Sequence, residues 1–522
     1  MTARLFRWAL IAAGVLAWAP AAEAQTKPTC SFDGTAAAVT VNVNGRIARL
    51  QAHKPSGEIR LNGVVCGAAR LTNTDSILVV GGPLDDTLKL IGTFAPGLTA
   101  EGDGSSEIEV SVAFTDADLV RFDLTGGSNR LIFTGGGIDV GEDGDEDVTT
   151  AGTGHLEVWG LGGNDVIDAS AYSAMPSAGQ LFVALYGGEG DDWLIGTNVG
   201  SEDVLDGQGG DDALYGRGGV DILRGGPGND ILYGGQGNDT FISEILVDGG
   251  DEMHGGPDLD YVSYQTRPST MPVTVTVGNG LADDGAPGEG DLVDGNIEII
   301  VGTSGPDVLI GSEGPEQLDG RDGDDQLVGG SGDDLLLGGN DNDTLDGGDG
   351  ADLLDGGNDH DTVTYDTRTA AITVTLDSGG ANDGEDGEGD EVVSVEDVVG
   401  SQGPNVLVGN NKSNRFWGSD TADDELYGGG AADVLRGLGG DDLLVGDSGD
   451  DILDGGEDDD TLDGGTGNDT LDGRNGADFY DGGDGNDIMR NGDGFAETVD
   501  CGAGTADNAE FDGLDTLIGC EL

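Results

Sequence analysis

The sequence predicts an all-β protein whose main body is a right-handed parallel β-roll, a solenoid built from stacked nine-residue repeats. Three observations predict this fold. Residues 302–364 divide into seven units of nine residues with none left over, from GTSGPDVLI to GGNDHDTVT. Every unit begins with Gly and has an aliphatic residue at its eighth position, and all but one have Asp at the sixth. Glycine makes up 101 of the 522 residues, far more than a conventional globular core contains.

The template of the unit, GGxGxDxUx with U apolar, dictates its local shape. Glycines at the front permit the positive φ angles of a tight turn. The last residues form a short strand with one apolar side chain pointing inward. A single apolar residue cannot bury itself, so two units face each other in a flattened coil of about eighteen residues. Stacking the coils about 4.8 Å apart as parallel strands then builds a continuous apolar seam.

The same stacking places the sixth-position carboxylates in columns. Carboxylates about 5 Å apart repel by roughly 1 kcal/mol per pair even in bulk water. A divalent cation between successive coils, held by carboxylates and by carbonyls of the glycine loops, would turn this repulsion into attraction. An all-oxygen site of flexible geometry suits Ca²⁺ better than Mg²⁺ or Zn²⁺. The predicted calcium ligands are Asp212, Asp221, Asp230, Asp239, Asp307, Asp325, Asp334, Asp343, Asp352, Asp361, Asp433, Asp442, Asp451, Asp460, Asp469, Asp478 and Asp487.

Three units in particular resemble a known family. GGPGNDILY (225–233), GGQGNDTFI (234–242) and GGTGNDTLD (464–472) are similar to the hemolysin-type calcium-binding nonapeptides of the RTX family. The resemblance implies the fold of that family, a parallel β-roll filled with calcium ions. Long runs of units in one register make the resemblance specific.

The charge of the chain restricts its partners. With 102 acidic and 21 basic side chains, the formal net charge is −81. Nucleic acid and anionic membrane surfaces would be repelled, whereas cations are favoured. Composition alone would also suit a disordered acidic tail. The periodicity argues against such a tail, because an apolar residue stands at a fixed distance from each sixth-position carboxylate.

The N-terminus predicts export. Residues 1–24 contain Arg4 and Arg7, an apolar run and the sequence Ala22-Glu23-Ala24, which together indicate a secretory signal peptide. The apolar run is too short to span a bilayer, so we expect a secreted, extracellular protein without a membrane span. Residues 25–155 show strand-like alternation and units of drifted spacing. They are interpreted as a β-rich N-terminal domain, either a solenoid or a sandwich.

The remaining chain divides into repeat blocks and spacers. The blocks are 156–262, 302–364 and 400–490, and the spacers are 263–301 and 365–399. The second spacer duplicates the first, which indicates architectural repetition rather than an active site. Asn405, Asn414 and Glu316 stand where Asp is expected, so their turns should bind calcium weakly. The acidic spacer loops DDGAPGEGD and NDGEDGEGD lack EF-hand spacing, and an isolated calcium site there is left open.

Four cysteines in an exported chain indicate two disulfides. Cys30 and Cys66 lie near one end of the chain, and Cys501 and Cys520 lie near the other, so local pairing is expected. Residues 491–522 depart from the register of the last nonad. A bare solenoid end would expose a strand edge and an open apolar seam. We therefore expect this segment to form a C-terminal cap stapled by the Cys501–Cys520 bridge.

No catalytic motif accompanies the repeats. The four histidines, His53, His155, His254 and His360, are scattered, and none begins an HExxH motif. His360 is expected to face solvent from the fifth position of its unit, and the string GDSGD at Gly446 is the front of a nonad. The prediction is therefore a non-enzymatic calcium-binding protein, structural or adhesive, with a cell-surface or matrix polymer as candidate partner.

Two alternative functions compete with this prediction. The first is a secreted hydrolase or polysaccharide-modifying enzyme with its site in residues 26–206. The second is a calcium-dependent ice-binding roll, which needs a regular file of threonines along one face. Thr is only sporadic at the third position of the units, which disfavours the ice-binding roll.

Overall fold

The computed structural model describes the backbone of the strands between residues 29 and 151. It also describes residues 155–520, except 173–181, 199, 244–247, 377–378, 381, 491–493, 505–506 and 511–513. Within these ranges, side chains are described for Leu131 and from Leu156 onward, except 509 and 510. The predicted signal peptide, residues 1–24, lies outside the described residues.

Every regular element in the described part of the chain is a short β-strand. The N-terminal strands are β1 (Thr29–Asp33), β2 (Ala38–Asn42), β3 (Ile47–His53), β4 (Glu58–Leu61), β5 (Val64–Arg70), β6 (Ser76–Val80), β7 (Thr87–Ile91), β8 (Glu109–Ala113), β9 (Leu119–Asp123), β10 (Arg130–Phe133), β11 (Gly137–Val140) and β12 (Val148–Ala151). Strands of the first repeat block and first spacer are β13 (His155–Trp159), β14 (Val166–Asp168), β15 (Phe182–Glu189), β16 (Trp193–Ile195), β17 (Glu202–Gly209), β18 (Ala213–Gly218), β19 (Ile222–Arg224), β20 (Ile231–Gln236), β21 (Thr240–Ile242), β22 (Glu252–His254), β23 (Tyr261–Ser263), β24 (Thr274–Thr276), β25 (Leu292–Val293) and β26 (Ile299–Val301).

The second block and second spacer continue this pattern. Their strands are β27 (Val308–Ile310), β28 (Gln317–Asp322), β29 (Gln326–Ser331), β30 (Leu335–Asn340), β31 (Thr344–Asp349), β32 (Leu353–Gly357), β33 (Thr362–Thr364), β34 (Ile372–Thr375), β35 (Gly384–Glu385), β36 (Glu391–Val393) and β37 (Asp397–Val399). The last part contains β38 (Asn405–Val408), β39 (Arg415–Trp417), β40 (Glu425–Gly430), β41 (Val434–Gly439), β42 (Leu443–Ser448), β43 (Ile452–Glu457), β44 (Thr461–Asp463), β45 (Thr470–Asn475), β46 (Phe479–Asp481), β47 (Ile488–Arg490), β48 (Thr498–Asp500), β49 (Asn508–Glu510) and β50 (Thr516–Ile518).

The strands stack into four long sheets, which confirms a parallel β-solenoid. Sheet I has the order β1-β2-β6-β8-β12-β11-β10-β14-β16-β18-β20-β22-β25, and sheet II has the order β36-β32-β30-β28-β26-β23-β21-β19-β17-β15-β13-β9-β7-β3-β4-β5. Sheet III has the order β24-β27-β29-β31-β33-β37-β39-β41-β43-β45-β47-β49, and sheet IV has the order β35-β34-β38-β40-β42-β44-β46-β48-β50. Neighbouring strands within the repeat blocks pair in parallel, each with the strand one coil away.

The two spacers are the places where one sheet is exchanged for another. In the first, sheet I ends at β25 while sheet III begins at β24; in the second, sheet II ends at β36 while sheet IV begins with β34 and β35. We call Tyr261–Val301 the first junction and Thr362–Val399 the second junction. The duplicated sequence therefore builds the same transition twice.

The strand pairing of the N-terminal region distinguishes between the solenoid and the sandwich that its sequence allowed. Strands β6 and β8 pair in parallel in sheet I, while β7 and β9 pair in parallel in sheet II. Chain order alternates between the two sheets, so this region is a solenoid rather than a sandwich. Antiparallel pairs interrupt it at β1–β2, β3–β4–β5 and β10–β11–β12.

The apolar seam runs through the eighth position of the units, as the template predicts. Leu309, Leu318, Leu327 and Leu336 are fully buried, and their neighbours along each strand are only partly covered. Each strand therefore contributes one inward side chain, and stacking makes the row continuous. Burying one such leucine contributes about 2 kcal/mol.

The two predicted disulfides lie at opposite ends of the solenoid. Cys501 and Cys520 form the predicted disulfide, with their Cα atoms 4.9 Å apart. Cys30 and Cys66 lie in β1 and β5, but their side chains are outside the described set, so their pairing stays a prediction. The C-terminal segment continues the solenoid up to the bridge, because β48, β49 and β50 extend sheets III and IV, and its capping role stays a prediction. Asn491 and Cys501 shift the register by single insertions, after which the repeats resume in GDGFAETVD and GAGTADNAE.

Candidate metal sites

The sixth-position residues of the nonads, together with the residues that take the same place in the irregular turns, form four columns, one along each sheet. The first column is Asp165, Asp192, Asp212, Asp230, Asp251 and Asp291. The second is Asp203, Asp221, Asp239, Asp260, Glu298, Glu316, Asp334, Asp352 and Asp390. The third is Asp307, Asp325, Asp343, Asp361, Glu396, Asn414, Asp433, Asp451, Asp469, Asp487 and Asp507. The fourth is Asn405, Asp424, Asp442, Asp460, Asp478, Glu497 and Asp515.

Within a column, one oxygen of each carboxylate ties neighbouring coils together. The backbone N–H of Asp325 donates to Oδ1 of Asp343 at 2.9 Å, and the N–H of Asp343 donates to Oδ1 of Asp361 at 2.8 Å. The pattern recurs between residues eighteen apart in every repeat block. These aspartates are almost fully buried, so their second oxygen is also withdrawn from water.

In most of the regular units, the second oxygen receives no hydrogen bond from the described part of the protein. Burying a carboxylate oxygen without a partner is strongly unfavourable, so this row of Oδ2 atoms calls for a cation. Of the predicted ligands, the open Oδ2 occurs at Asp212, Asp221, Asp230, Asp239, Asp325, Asp334, Asp343, Asp352, Asp361, Asp433, Asp442, Asp451, Asp460, Asp469 and Asp487. Asp478 is buried at the same position, and its Oδ1 accepts from the N–H of Asp460 at 2.9 Å.

The first glycine of each unit keeps space open beside this oxygen. A Cβ built on Gly446 would lie 2.5 Å from Oδ2 of Asp451 and 2.7 Å from the carbonyl oxygen of Gly464 in the next coil. A Cβ on Gly216 would meet Oδ2 of Asp221 and the next glycine carbonyl in the same way. Carboxylate and backbone carbonyl oxygens are the donors that Ca²⁺ prefers.

The donor set fits calcium held between coils rather than a compact side-chain cage. Within the residues that the structure describes, no three His, Cys, Asp or Glu side chains gather as a metal-binding group. A cation bound here would draw on few carboxylates and would need backbone carbonyls to complete its ligand set. Such mixed oxygen sites are typical of calcium and unlike the His and Cys sites of zinc.

Burial and like-charge neighbours raise the pKa values of these carboxylates, so the charged form is disfavoured in the absence of a cation. Burial, the largest cause, and the neighbouring charges of Asp307 and Asp343 together raise the pKa of Asp325 to about 8. The same causes raise the pKa of Asp460 to about 8. Burial raises the pKa of Asp352 and Asp361 to about 6. A cation between the coils would favour the charged form.

Asp307 differs from the other predicted ligands, because both of its oxygens are engaged. Its Oδ1 accepts from the N–H of Val273 at 2.7 Å, and its Oδ2 accepts from the N–H of Thr303 at 2.6 Å. Thr303 occupies the second position of the unit. This difference can be recognised in the sequence. The predicted units with an open Oδ2 have Gly or another residue with a left-handed φ at the second position, whereas the unit of Asp307 has Thr there.

The same rule describes three other units. Ser312, Ser401 and Ser419 donate their backbone N–H to the column side chains Glu316, Asn405 and Asp424. By contrast, Gly339 and Arg321 at the second position of open units adopt left-handed φ angles of 120° and 85°. The weak calcium binding predicted for Glu316, Asn405 and Asn414 stays a prediction.

Three candidate ligands were missing from the predicted set. Asp192, Asp260 and Asp507 each have a buried Oδ2 that no donor in the described residues reaches. Their units GGEGDDWLI, GGPDLDYVS and GAGTADNAE have Gly first and Asp sixth, so the template would have found them. Two of these units depart from the template elsewhere, which makes them harder to recognise. Asp258 stands at the fourth position, where Gly is expected, and Ala509 stands at the eighth position, where a larger aliphatic residue is expected.

The acidic spacer loops are held by their own hydrogen bonds. In the first loop, Asp284 accepts from the N–H groups of Thr276 and Val293 at 2.6 and 2.9 Å. In the second, Asp383 accepts from Thr375 and Val392 in the same way. These buried carboxylates have both oxygens engaged, which argues against the isolated calcium site that the sequence left open.

The expectation that His360 faces solvent was wrong. Its Nε2 lies 2.8 Å from Oδ1 of the buried Asp397, and the side chain is only 31% exposed. The residue paired with it is far away in sequence, which is why the fifth position alone was misleading.

The alternative hydrolase site in residues 26–206 falls largely outside the described side chains. In the described part of the chain, no helix is long and apolar enough to cross a membrane.

Comparison with known protein families gives an independent result. The model of the RTX calcium-binding nonapeptide repeat (4 copies) matches overlapping segments of the chain: 186–223, 215–244, 294–327, 301–336, 328–363, 399–424, 419–453, 427–462 and 454–489. These segments coincide with the parts in which the carboxylate columns are regular. No curated protein matches the chain.

Proposed function

We propose that this chain, which carries RTX calcium-binding nonapeptide repeats across residues 186–489, is an exported calcium-binding β-roll protein with a structural or adhesive role at or outside the cell surface. The observation that carries the proposal is the row of buried Oδ2 atoms beside glycine-lined gaps. The proposed ligands are the predicted aspartates other than Asp307, together with Asp192, Asp260 and Asp507.

Each part of the unit has a separate task in this proposal. Oδ1 of the sixth-position aspartate accepts the backbone hydrogen bond that sets the spacing of the coils. Its Oδ2 and the glycine carbonyls face the cation, and the first glycine leaves room for it. The leucine at the eighth position closes the apolar seam. Bound calcium supplies positive charge between carboxylates that would otherwise repel one another.

An extracellular role is supported by the two ends of the chain and by its charge. Residues 1–24 have the pattern of a signal peptide. The Cys501–Cys520 disulfide requires an oxidising compartment. A net charge of −81 disfavours nucleic acid and anionic lipid. A neutral or cationic polymer of the cell surface or matrix is therefore the proposed class of partner.

The calcium function is tested by titrating the full mature chain. We expect far-ultraviolet circular dichroism to show a large gain of β-structure between chelator and millimolar Ca²⁺, and little gain with equimolar Mg²⁺. Calorimetry should find many ions bound per chain. A full β spectrum in chelator would refute folding on calcium.

The extracellular role needs its own test. The chain should appear in the medium of expressing cells with residues 1–24 present, and remain inside when they are deleted. Calcium-loaded protein should then sediment with purified envelope polysaccharide, and chelator should release it. Retention inside the cell with the N-terminus intact would contradict export, and no sedimentation with polysaccharide would contradict the adhesive role.

A further inference from the structure

The two junctions end two of the carboxylate columns. The first column stops at Asp291 in the first junction, and the second column stops at Asp390 in the second junction. Each terminal aspartate still accepts a backbone hydrogen bond through Oδ1, from Asp251 and Asp352 respectively, both at 3.1 Å. The backbone hydrogen bonds of each column therefore continue to its last aspartate, but the side chains around that aspartate differ from those in the repeat blocks.

In the first junction, that environment contains a buried arginine. Nη1 of Arg267 lies 2.6 Å from Oε1 of Glu289, and Nη2 lies 3.0 Å from Oδ1 of Asp248. Its Nε donates to Oγ of Ser243 at 2.8 Å. The Arg267 and Glu289 side chains are 0% exposed, so this is a dry ion pair rather than a surface contact.

A tyrosine links the arginine to the terminal aspartate. The guanidinium of Arg267 lies 5.4 Å from the ring centroid of Tyr264, a cation–π contact. The Tyr264 hydroxyl donates to Oδ2 of Asp291 at 3.4 Å. The oxygen that is left open in most units of the repeat blocks thus has a protein donor here.

The second junction repeats the arrangement at the equivalent residues. Nη1 of Arg368 lies 2.6 Å from Oε1 of Glu388, and the guanidinium lies 5.8 Å from the Tyr365 ring centroid. The Tyr365 hydroxyl donates to Oδ2 of Asp390 at 3.0 Å. Two copies of the sequence therefore place Arg, Tyr, Glu and Asp in one constellation, which argues for a shared purpose.

The two regions differ in where their positive charge comes from. In most units of the blocks, buried carboxylates stack without a protein donor to the second oxygen in the described residues. At the junctions, a guanidinium lies among the carboxylates and remains charged at any physiological pH. A buried carboxylate with a bonded cation is far better tolerated than one without.

We propose that Arg267 and Arg368 are built-in cations that close two carboxylate columns, so that the two junctions fold without calcium. This inference rests on the proposed calcium function of the columns. It makes the calcium-free chain a series of unfolded blocks joined by two folded junctions. Because the junctions also exchange the sheets, they fix which sheet each block joins before calcium arrives.

Hydrogen exchange of the full mature chain, read by mass spectrometry, tests the proposal. In chelator, peptides within 261–301 and 362–399 should exchange slowly, while peptides within 207–242 and 428–490 should exchange like an unfolded chain. Fast exchange in both junctions would overturn the inference. Protection of the blocks by calcium would still stand in that case, so the proposed function is judged separately.

Variants of the second junction test the arginine itself. Arg368→Gln should speed exchange in 362–399 by on the order of 100-fold, as expected when a buried ion pair loses one partner. The first junction should be unaffected and serves as internal control. Arg436→Gln, which alters an exposed arginine over Trp417 in a repeat, should change neither junction.

The double variant Arg368→Gln/Glu388→Gln separates charge from folding defects. Removing both charges should restore much of the protection in chelator, since Glu388 is then not left as an unpaired buried charge and the Tyr365 hydroxyl still donates to Asp390. Loss of protection in both the single and the double variant would show that Arg368 acts through packing, and would overturn its role as a cation. Unchanged protection in the single variant would overturn it as well.

Discussion

In the repeat blocks, Asp334 and Asp343 hold a buried oxygen that no protein donor reaches in the described structure, whereas at the junctions Asp291 and Asp390 give theirs to a tyrosine hydroxyl. Both regions stack carboxylates at the same spacing and with the same backbone hydrogen bond. They differ in whether a guanidinium accompanies the carboxylates. A carboxylate column can therefore be paired with either kind of cation. The residues around it decide whether the positive charge is a metal ion from solution or an arginine of the chain.

The strongest test of this comparison replaces single carboxylates. Asp343→Asn removes the charge from an open position, so the calcium affinity of its block should fall by roughly 10- to 100-fold, measured by titration followed with circular dichroism. Asp334→Ala should behave alike. Asp283→Asn, in an exposed part of the spacer loop, should leave the affinity unchanged.

Asp307 sharpens the same test. Its two oxygens are taken by Val273 and Thr303, so Asp307→Asn should lower thermal stability more than calcium affinity. Equal losses of affinity at positions 283, 307 and 343 would show that open and closed carboxylates do not differ.

The glycine beside the open oxygen provides the next test. Gly446→Ala would place a methyl group 2.5 Å from Oδ2 of Asp451, so we expect calcium affinity to fall by about tenfold. Gly200→Ala is the matched control, because nothing lies within 4 Å of its Cβ position. If both variants bind calcium like the parent, the gap at the first glycine is not part of the site.

Acidity should affect the blocks through their raised pKa values. Burial raises the pKa of Asp221 and Asp460 from 3.8 to about 8 and that of Asp361 to about 6. Since the folded pKa exceeds the unfolded value, these groups favour the calcium-free fold at low pH, and that contribution is lost as pH rises through about 6 to 8.

The consequence is a competition between protons and calcium. The calcium concentration for half-folding should rise as pH falls from 8 to 6, by roughly tenfold per pH unit for each proton displaced. In chelator, the blocks should gain some β-structure on acidification. A half-folding concentration that is constant over this range would contradict the raised pKa values.

The smallest effect is expected at the C-terminal cap. Cys501 is fully buried, while Leu514 and Ile518 at the end of sheet IV are 61% and 47% exposed. Cys520→Ser should leave calcium-induced folding largely intact but loosen this end, and light scattering should then show more self-association in calcium. The variant Cys501→Ser/Cys520→Ser controls for intermolecular disulfides. Monomeric behaviour of both variants would count against a capping role.

The period of nine residues by itself determined most of the repeat architecture. Inward Leu309 and Leu336, the buried position of Asp343 and the parallel stacking all follow from local spacing, because each unit repeats the same local geometry. The Cys501–Cys520 bridge also followed from sequence proximity. Strand-forming residues and glycine turns need only their immediate neighbours to be recognised.

Contacts between distant residues were decided only by the tertiary structure. The difference between Asp307 and Asp343 is an exception, because the Thr303 N–H that engages Oδ2 of Asp307 is only four residues away. Sequence alone left Arg267 and Glu289 unpaired, and it placed His360 in solvent, since Asp397 reaches it only after the second junction has folded. The exchange of sheets at the junctions was hidden for the same reason. A nine-residue pattern states which residues point inward, but the partner of a buried charge depends on which segments the fold brings together.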